Sequence, residues 1–239
     1  MSQRPFSPNP RQAGMLAALR EAGSLSVDSL ADRFGVTLQT VRRDVQMLAD
    51  AGLIARFHGG ARLAGSTTEN LAYRARQRLH ETAKARIARS VAAAVPEGCS
   101  LIINLGTTTE AVARELVRHR GLRVITNNLN VARILADNRD GEVYVTGGLL
   151  RARDHGLVGE PAAAFIRQFR VDIGLIGISG IEADGTLRDF DPQEVMVART
   201  IIAQSRQVWL VADHSKFDRP AMVALAGLDQ VDRLFTDAP

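Results

Sequence analysis

At 239 residues, 46% of them hydrophobic, the chain suits one large domain or two ordinary ones, and its single cysteine excludes an intrachain disulfide framework and any multi-cysteine metal site. No run of about 18 apolar residues occurs, so no transmembrane helix is expected, and the start MSQRPFSPNPRQ has no apolar signal-peptide core, so a cytoplasmic location follows. The net charge of +4 is unevenly spread: residues 1–95 hold 14 Arg plus Lys against 7 Asp plus Glu, and residues 96–239 hold 16 against 19, so the basic excess lies where a polyanion partner would need it.

In chain order, RQAGMLAALREAG reads as a helix with Met15, Leu16 and Leu19 inward, ending at Gly23. Ser26 can cap a second helix whose apolar face is Val27, Leu30, Ala31 and Phe34, and Gly35 suits the left-handed position beyond its end. Thr37 then caps a third helix, TLQTVRRDVQML, in which Leu38, Val41, Val45 and Leu48 share one face at 100° per residue. Gln39, Thr40, Arg42, Arg43 and Gln46 fall on the opposite arc, with Asp44 at the boundary. Alone, that arc is an ordinary solvated face. Helix, glycine-containing turn and helix, followed by two short strands in LIARFHGGARL, make it instead the reading helix of a winged helix-turn-helix. Such a helix enters the DNA major groove, and the wing residues Arg56, His58 and Arg62 are placed to meet the backbone.

The stretch AGSTTEN, residues 64–70, reads as a linker, and LAYRARQRLHETAKARIARSVAAAV as helix almost to Pro96. Arg74, Arg76 and Arg78 in it can touch DNA backbone, although a solvated helix face is the better reading; Ile87, Val91 and Val95 form a stripe for packing on the next domain. The organisation expected is a winged helix over 1–64, a linker and connecting helix over 65–95, and an effector domain over 96–239.

From residue 99 onward, continuous apolar runs (SLIINL, LRVITN, VYVTG, DIGLIGI, VWLVAD) alternate with helical stretches (TEAVARELVRH, NLNVARILADN, PAAAFIRQF, QEVMVARTIIAQSR). Strand–helix alternation implies an α/β domain with a mainly parallel sheet, and Cys99 opens the first run as a small buried residue. Ligands bind such sheets at the carboxyl ends of the strands. There stand Gly106, Thr107, Thr108 and Thr109, a cradle for phosphate or else a threonine cap. Asn127 and Asn128 suit sugar hydroxyls, Gly147 and Gly148 follow the third strand, and Asp213 and Lys216 either bind a hydroxyl and a phosphate or form a local ion pair in a surface turn. Asp191 and Glu194 open a helix, where the dipole alone can account for them.

The run Thr40-Val41-Arg42-Arg43-Asp44-Val45 followed by GLIARFHGGARL resembles the DNA-binding head of the DeoR family of bacterial repressors, with Leu38 standing where relatives often carry Pro or Ser. The segments GTTTEAVA, VITNNLNVA, RDHGLVGE, FRVDIGLIGISGI, DGTLRDFD and LVADHSKFDRPAMV resemble the sensor domain of the same family, whose fold is similar to ribose-5-phosphate isomerase. Asn104 departs from the Asp that relatives commonly carry. The resemblance implies a homo-oligomeric repressor of double-stranded DNA operators, released by a phosphorylated metabolite, with glycerol 3-phosphate the expected inducer. It implies no enzyme, cofactor or metal. Two rivals are a sugar-phosphate isomerase with a fused DNA-binding head, for which Asp191, Glu194, Asp213 and Lys216 leave acid–base chemistry open, and a constitutive DNA binder whose second domain only oligomerises.

Overall fold

The computed structural model describes residues 8–22, 24–51, 53–57, 59–63 and 73–237. The chain divides into two compact units, Met1–Leu71 and Ala72–Pro239.

The first unit begins with α1 (Pro10–Ala22), whose entry is fixed by reciprocal bonds: Asn9 Oδ1 accepts from the Gln12 amide (2.9 Å) and Gln12 Oε1 from the Asn9 amide (3.1 Å). After β1 (Ser24–Ser26) come α2 (Val27–Phe34) and α3 (Leu38–Asp50). Ser26 accepts from the Ser29 amide and Thr37 from the Thr40 amide, and Gly35 ends α2 in the left-handed region at φ 61°, where a side chain would be strained. The wing is β2 (Ile54–Phe57) and β3 (Gly60–Leu63), and the sheet order is β1-β3-β2, all antiparallel. Met15, Leu19, Leu30, Val41, Leu48, Ile54 and Ala61 form one core. Two expectations need correction. Leu38 is 39% exposed, because the first turn of α3 extends past this core. Asp44 is buried; it accepts from Arg11 Nε at 2.6 Å and Gln12 Nε2 at 3.0 Å, which tie α3 to α1.

The second unit opens with α4 (Tyr73–Arg78) and α5 (Glu81–Ala94). The expected continuous helix is therefore broken at Leu79–His80, where His80 takes the left-handed conformation at φ 53°. Then follow β4 (Ser100–Ile103), α6 (Thr107–Leu116), β5 (Arg123–Thr126), α7 (Leu129–Leu135), β6 (Glu142–Val145), β7 (Leu149–Arg151), β8 (Gly156–Val158) and α8 (Glu160–Ile166). The chain ends with β9 (Val171–Gly177), β10 (Gly180–Ile181), β11 (Thr186–Asp189), α9 (Pro192–Ala203), β12 (Ser205–Val211), a 3-10 turn (His214–Lys216), β13 (Val223–Gly227) and β14 (Arg233–Phe235). The helix expected to run through Arg206 stops at Ala203, and Ser205 already belongs to the next strand.

Six strands form one parallel sheet in the order β14-β12-β9-β4-β5-β6. Alternate residues leave opposite faces. Leu101 and Ile103 pack with Ile87 and Val91 of α5, Val112 and Leu116 of α6, and Val131 of α7. Ile102 and Ile176 pack on the other side with Ile166 of α8 and Val195 and Ile201 of α9. Buried on both faces, the strands read as unbroken apolar runs. Strand order reverses direction between β4 and β9, which opens a crevice at their carboxyl ends. The β7–β8 hairpin and a small antiparallel sheet, β10-β11-β13, complete the unit.

Candidate functional site

On the first unit, Gln39, Arg42, Arg43 and Gln46 of α3 are exposed, as the helical phase requires. Arg42 and Arg43 make no ion pair among the described residues, so their guanidinium groups keep all their donors. Thr37 and Thr40 are engaged with each other: Thr37 Oγ1 accepts from the Thr40 amide (3.3 Å), and the two hydroxyls stand 3.0 Å apart. Gln46 bridges elements. Its Oε1 accepts from Arg56 Nη1 on β2, and its Nε2 donates to Asp50 Oδ1 at 2.6 Å, so the wing arginine is held against the helix. A groove of about 410 Å³ lies between helix and wing, lined by Asp28, Arg42, Gln46, Arg56 and Gly59. Arg62 departs from expectation. It is 7% exposed, because β3 is the middle strand and its neighbours cover it. His58 lies outside the described residues.

On the second unit, the carboxyl ends of β4, β5, β9 and β12 converge as the parallel topology dictates. Gly106 precedes α6 at φ 152°, and a Cβ there would stand 3.2 Å from Thr109 Oγ1. The three threonines have different roles. Thr109 is buried and its one hydroxyl proton is shared between the Gly106 and Asn104 carbonyls (2.7 and 3.0 Å), so it braces the loop. Thr108 is buried at the helix start. Thr107 is half-buried and donates to the carbonyl of Arg76, on α4, at 3.4 Å. Asn104 holds the loop to β9: its Oδ1 accepts from the Gly177 amide at 2.9 Å, a task an Asp carboxylate would also perform.

The two asparagines divide similarly. Asn128 is committed, capping α7 with Oδ1 and donating from Nδ2 to Glu110 at 3.3 Å. Asn127 donates to the Leu157 carbonyl at 3.0 Å, but its Oδ1 is buried without a partner among the described residues. Thr146 Oγ1, beyond the adjacent strand, is likewise unpartnered. Gly147 and Gly148 are exposed in the turn to β7, and a Cβ on Gly148 would meet the Val158 carbonyl at 2.8 Å, so Gly148 is required by packing.

Asp213 is buried and accepts from the Ser215 amide (3.0 Å) and hydroxyl (2.5 Å). Burial alone would raise its carboxyl, but the charge of Lys216, the Ser215 hydroxyl and His80 outweigh it and hold it at about 2. Lys216 is partly buried; its amide donates to the Asp213 carbonyl at 2.9 Å, but its ammonium makes no hydrogen bond or ion pair among the described residues. Burial pushes its ammonium down to about 7; Asp213 opposes this, while Arg219, Arg76 and Lys84 repel the proton further. Glu194 is not an unengaged acid. With Asp154 and Asp191 it surrounds the Arg151 guanidinium, at 2.8, 2.7 and 2.5 Å respectively. Burial and neighbouring Asp189 still raise Glu194 to about 7 against the pull of Arg151.

Several residues here escaped the sequence reading. Arg76, expected on a solvated face, is half-buried, 3.9 Å from Asp154 and over the Tyr73 ring, and its charge reaches Asp189, Glu194 and Lys216. Tyr73 donates to the buried Glu110 carboxylate at 2.8 Å; burial and then that carboxylate push the phenol well above its usual range. Lys84 of α5 is 5% exposed. Its scarcity was a signal, since Lys84 and Lys216 are the only lysines in the chain. The crevice thus combines a Lys216 ammonium with no hydrogen bond among the described residues, helix amides and an unused acceptor, a set suited to a small anion bearing hydroxyls.

Residues 11–67 match the family model "DeoR-like helix-turn-helix domain", and residues 79–238 match "DeoR C terminal sensor domain". The glycerol-3-phosphate regulon repressor of Escherichia coli (strain K12) is 47% identical over 229 residues, covering 96% of this chain and 90% of that protein. The HTH-type transcriptional repressor CsqR of the same strain is 43% identical, covering 99% of this chain and 90% of that protein. Among solved structures, a D-ribose-5-phosphate isomerase in complex with phospho-erythronic acid aligns with TM-score 0.44 at 11% identity, over 58% of this chain and 55% of that one. A probable sor operon regulator from Shigella flexneri aligns with TM-score 0.41 at 12% identity, over 66% and 85% respectively.

Proposed function

The chain belongs to the DeoR family, and from that premise we propose that it is a DNA-binding transcriptional repressor whose operator affinity falls when a small phosphorylated metabolite occupies the sensor unit. Gln39, Arg42 and Arg43 read or grip the operator, Gln46 orients Arg56 of the wing toward the backbone, and Thr37 and Thr40 cap and stiffen the reading helix. The phosphate sits against the Gly106–Thr109 turn and the amides of α6, with Lys216 supplying charge; Asn127 Oδ1 accepts from a ligand hydroxyl. The observation that carries the sensor reading is Lys216, a partly buried ammonium with no hydrogen-bond partner among the described residues. Glycerol 3-phosphate is the first candidate inducer, on the strength of the relatives that are 47% and 46% identical. The protein acts as a homo-oligomer on repeated half-sites. As a repressor it turns over no sugar phosphate; in support, the relatives at 47% and 43% identity are repressors.

The test is a gel-shift titration of the full chain on its own promoter region against three- to six-carbon phosphorylated metabolites. Release by glycerol 3-phosphate at concentrations where glycerol has no effect is the expected result. Turnover of any sugar phosphate, or indifference of the complex to all of them, would overturn the proposal.

A further inference from the structure

We propose that Lys84 is an anion-binding residue of the sensor unit, and that the C-terminal carbonyls of α4 compete with the effector's phosphate for Lys84 and Thr107. This rests on the effector reading above and adds how occupancy of that site is felt outside it.

Lys84 lies almost wholly inside the protein, yet its ammonium has no carboxylate partner among the described residues. It donates instead to two main-chain carbonyls at the end of α4, those of Arg76 and of Leu79, the latter at 2.6 Å. Carbonyls satisfy hydrogen bonds but carry no net charge, so the ammonium is offset only through space, by Asp213, Glu110 and Glu81, and a buried ammonium so held remains a site for an anion. Burial pushes Lys84 down to about 8, with Asp213 opposing and Arg76 adding to the effect. The same Arg76 carbonyl also receives the Thr107 hydroxyl. Lys84 and Thr107 are therefore neighbouring donors sharing one acceptor, and that acceptor is backbone of α4.

Both residues line a cavity of about 390 Å³ bounded by α4, α5 and α6; Arg78 and Arg114 on its wall are offset by Glu81, Glu110 and Glu115, so Lys84 and Thr107 are the donors left to hold an anion there. A hydroxyl has one proton to give, so an anionic oxygen that takes it from Thr107 takes it from the Arg76 carbonyl. The ammonium has three donors, two already given; a phosphate oxygen makes the stronger, charge-assisted bond and draws the ammonium away from the carbonyls. Either exchange weakens the C-terminal anchor of α4. The other anchor is separate: Tyr73 on Glu110, with Asn130 Nδ2 donating to the phenol oxygen at 2.9 Å. Because α4 starts at the second residue of the sensor unit, loosening it alters the point where the chain leaves for the head. By linkage, whatever loosens α4 must in turn favour the anion.

The reciprocity provides the test, made on the full chain with glycerol 3-phosphate and with inorganic phosphate. Hydrogen exchange of residues 73–80 should quicken at saturating ligand, and calorimetry should show Lys84→Met binding both ligands at least tenfold more weakly. Gln77→Gly, which lowers the helix propensity of α4 at an exposed position and removes the bond that Gln77 Nε2 donates to the Tyr73 hydroxyl (2.6 Å), loosens α4 without touching Lys84 or Thr107 and should bind both several-fold more tightly, a gain that lost packing cannot produce. If Lys84→Met fails to fold, the sign of the Gln77→Gly effect decides alone. Wild-type affinity in Lys84→Met, exchange in 73–80 that is unchanged or slower, or unchanged or weaker binding by Gln77→Gly would overturn the competition while leaving the effector reading intact. A wild-type chain that binds no phosphorylated compound would overturn both.

Discussion

Replacing Lys216 by Met should change how effector affinity depends on pH. Lys216 titrates at about 7 rather than the ordinary 10.5. A lysine whose folded value is lowered repels its proton on folding, so the chain without ligand gains stability as pH rises from about 7 toward 10.5. Effector affinity follows the opposite course, because the anion needs the protonated ammonium. A phosphate ester completes its second ionisation above about pH 6, so wild-type affinity should peak between about 6 and 7. Above that it should fall about tenfold per pH unit, and Lys84, lowered to about 8, should steepen the fall further on. At pH 6 the Met variant forfeits a charge-assisted hydrogen bond, about 1.5–3 kcal/mol or about 10- to 150-fold in affinity. At pH 8 the same comparison should have shrunk by about tenfold. Calorimetry with glycerol 3-phosphate at pH 6, 7 and 8 on both proteins measures this. Wild-type affinity that is flat or rising from pH 7 to 8, or an identical slope in Lys216→Met, would refute Lys216 as the phosphate's cation.

On the head, Arg42→Ala and Arg43→Ala should each weaken operator binding without shifting the melting temperature; a residue reading guanine should cost about 1–3 kcal/mol and relax one base pair, measured by gel shift on operator variants. Operator affinity should fall steeply with salt, and removing an arginine that only touches phosphate should flatten the log–log slope by about 0.9 for each DNA phosphate no longer neutralised. Arg62→Gln, being buried, should lower the thermal stability of the head rather than that slope, and unaltered melting with a flatter slope would count against its burial. Gly180→Ala places a Cβ 2.0 Å from the Arg219 carbonyl, so the loop carrying Lys216 must shift; chemical denaturation should show a loss of about 1–3 kcal/mol, and wild-type stability would contradict the packing.

The parts legible in sequence are those fixed by neighbours along the chain. Ser26, Gly35 and Thr37 act locally, so the helix-turn-helix could be read from caps alone, and strands buried on both faces announce themselves as apolar runs. What escaped is non-local or conformationally atypical. Leu38 fits the helical stripe, but periodicity does not say how far the core reaches along it. Nothing in RQRLHETAK marks His80 as left-handed, since the usual signal is glycine. Strands β7, β8, β10 and β11 are two to four residues long and carry no strong period. Adjacent Asn127 and Asn128 look equivalent as letters, yet one caps a helix and the other has an unused oxygen. Arg151 gathers carboxylates 3, 40 and 43 residues away, a grouping only the fold reveals.

The neighbouring of β4 with β9 has a kinetic consequence. Ser100 meets Asp172 72 residues later in the chain, so the crevice exists only after a long-range closure within the sensor unit. Thr107 and Asn127 come from one side of that seam and Lys216 from the other. A ligand gripping both sides is a staple across that long-range junction, and it can close only once both sides are in place. Its stabilisation should therefore appear almost wholly as slower unfolding, with the refolding rate left where the bare chain sets it.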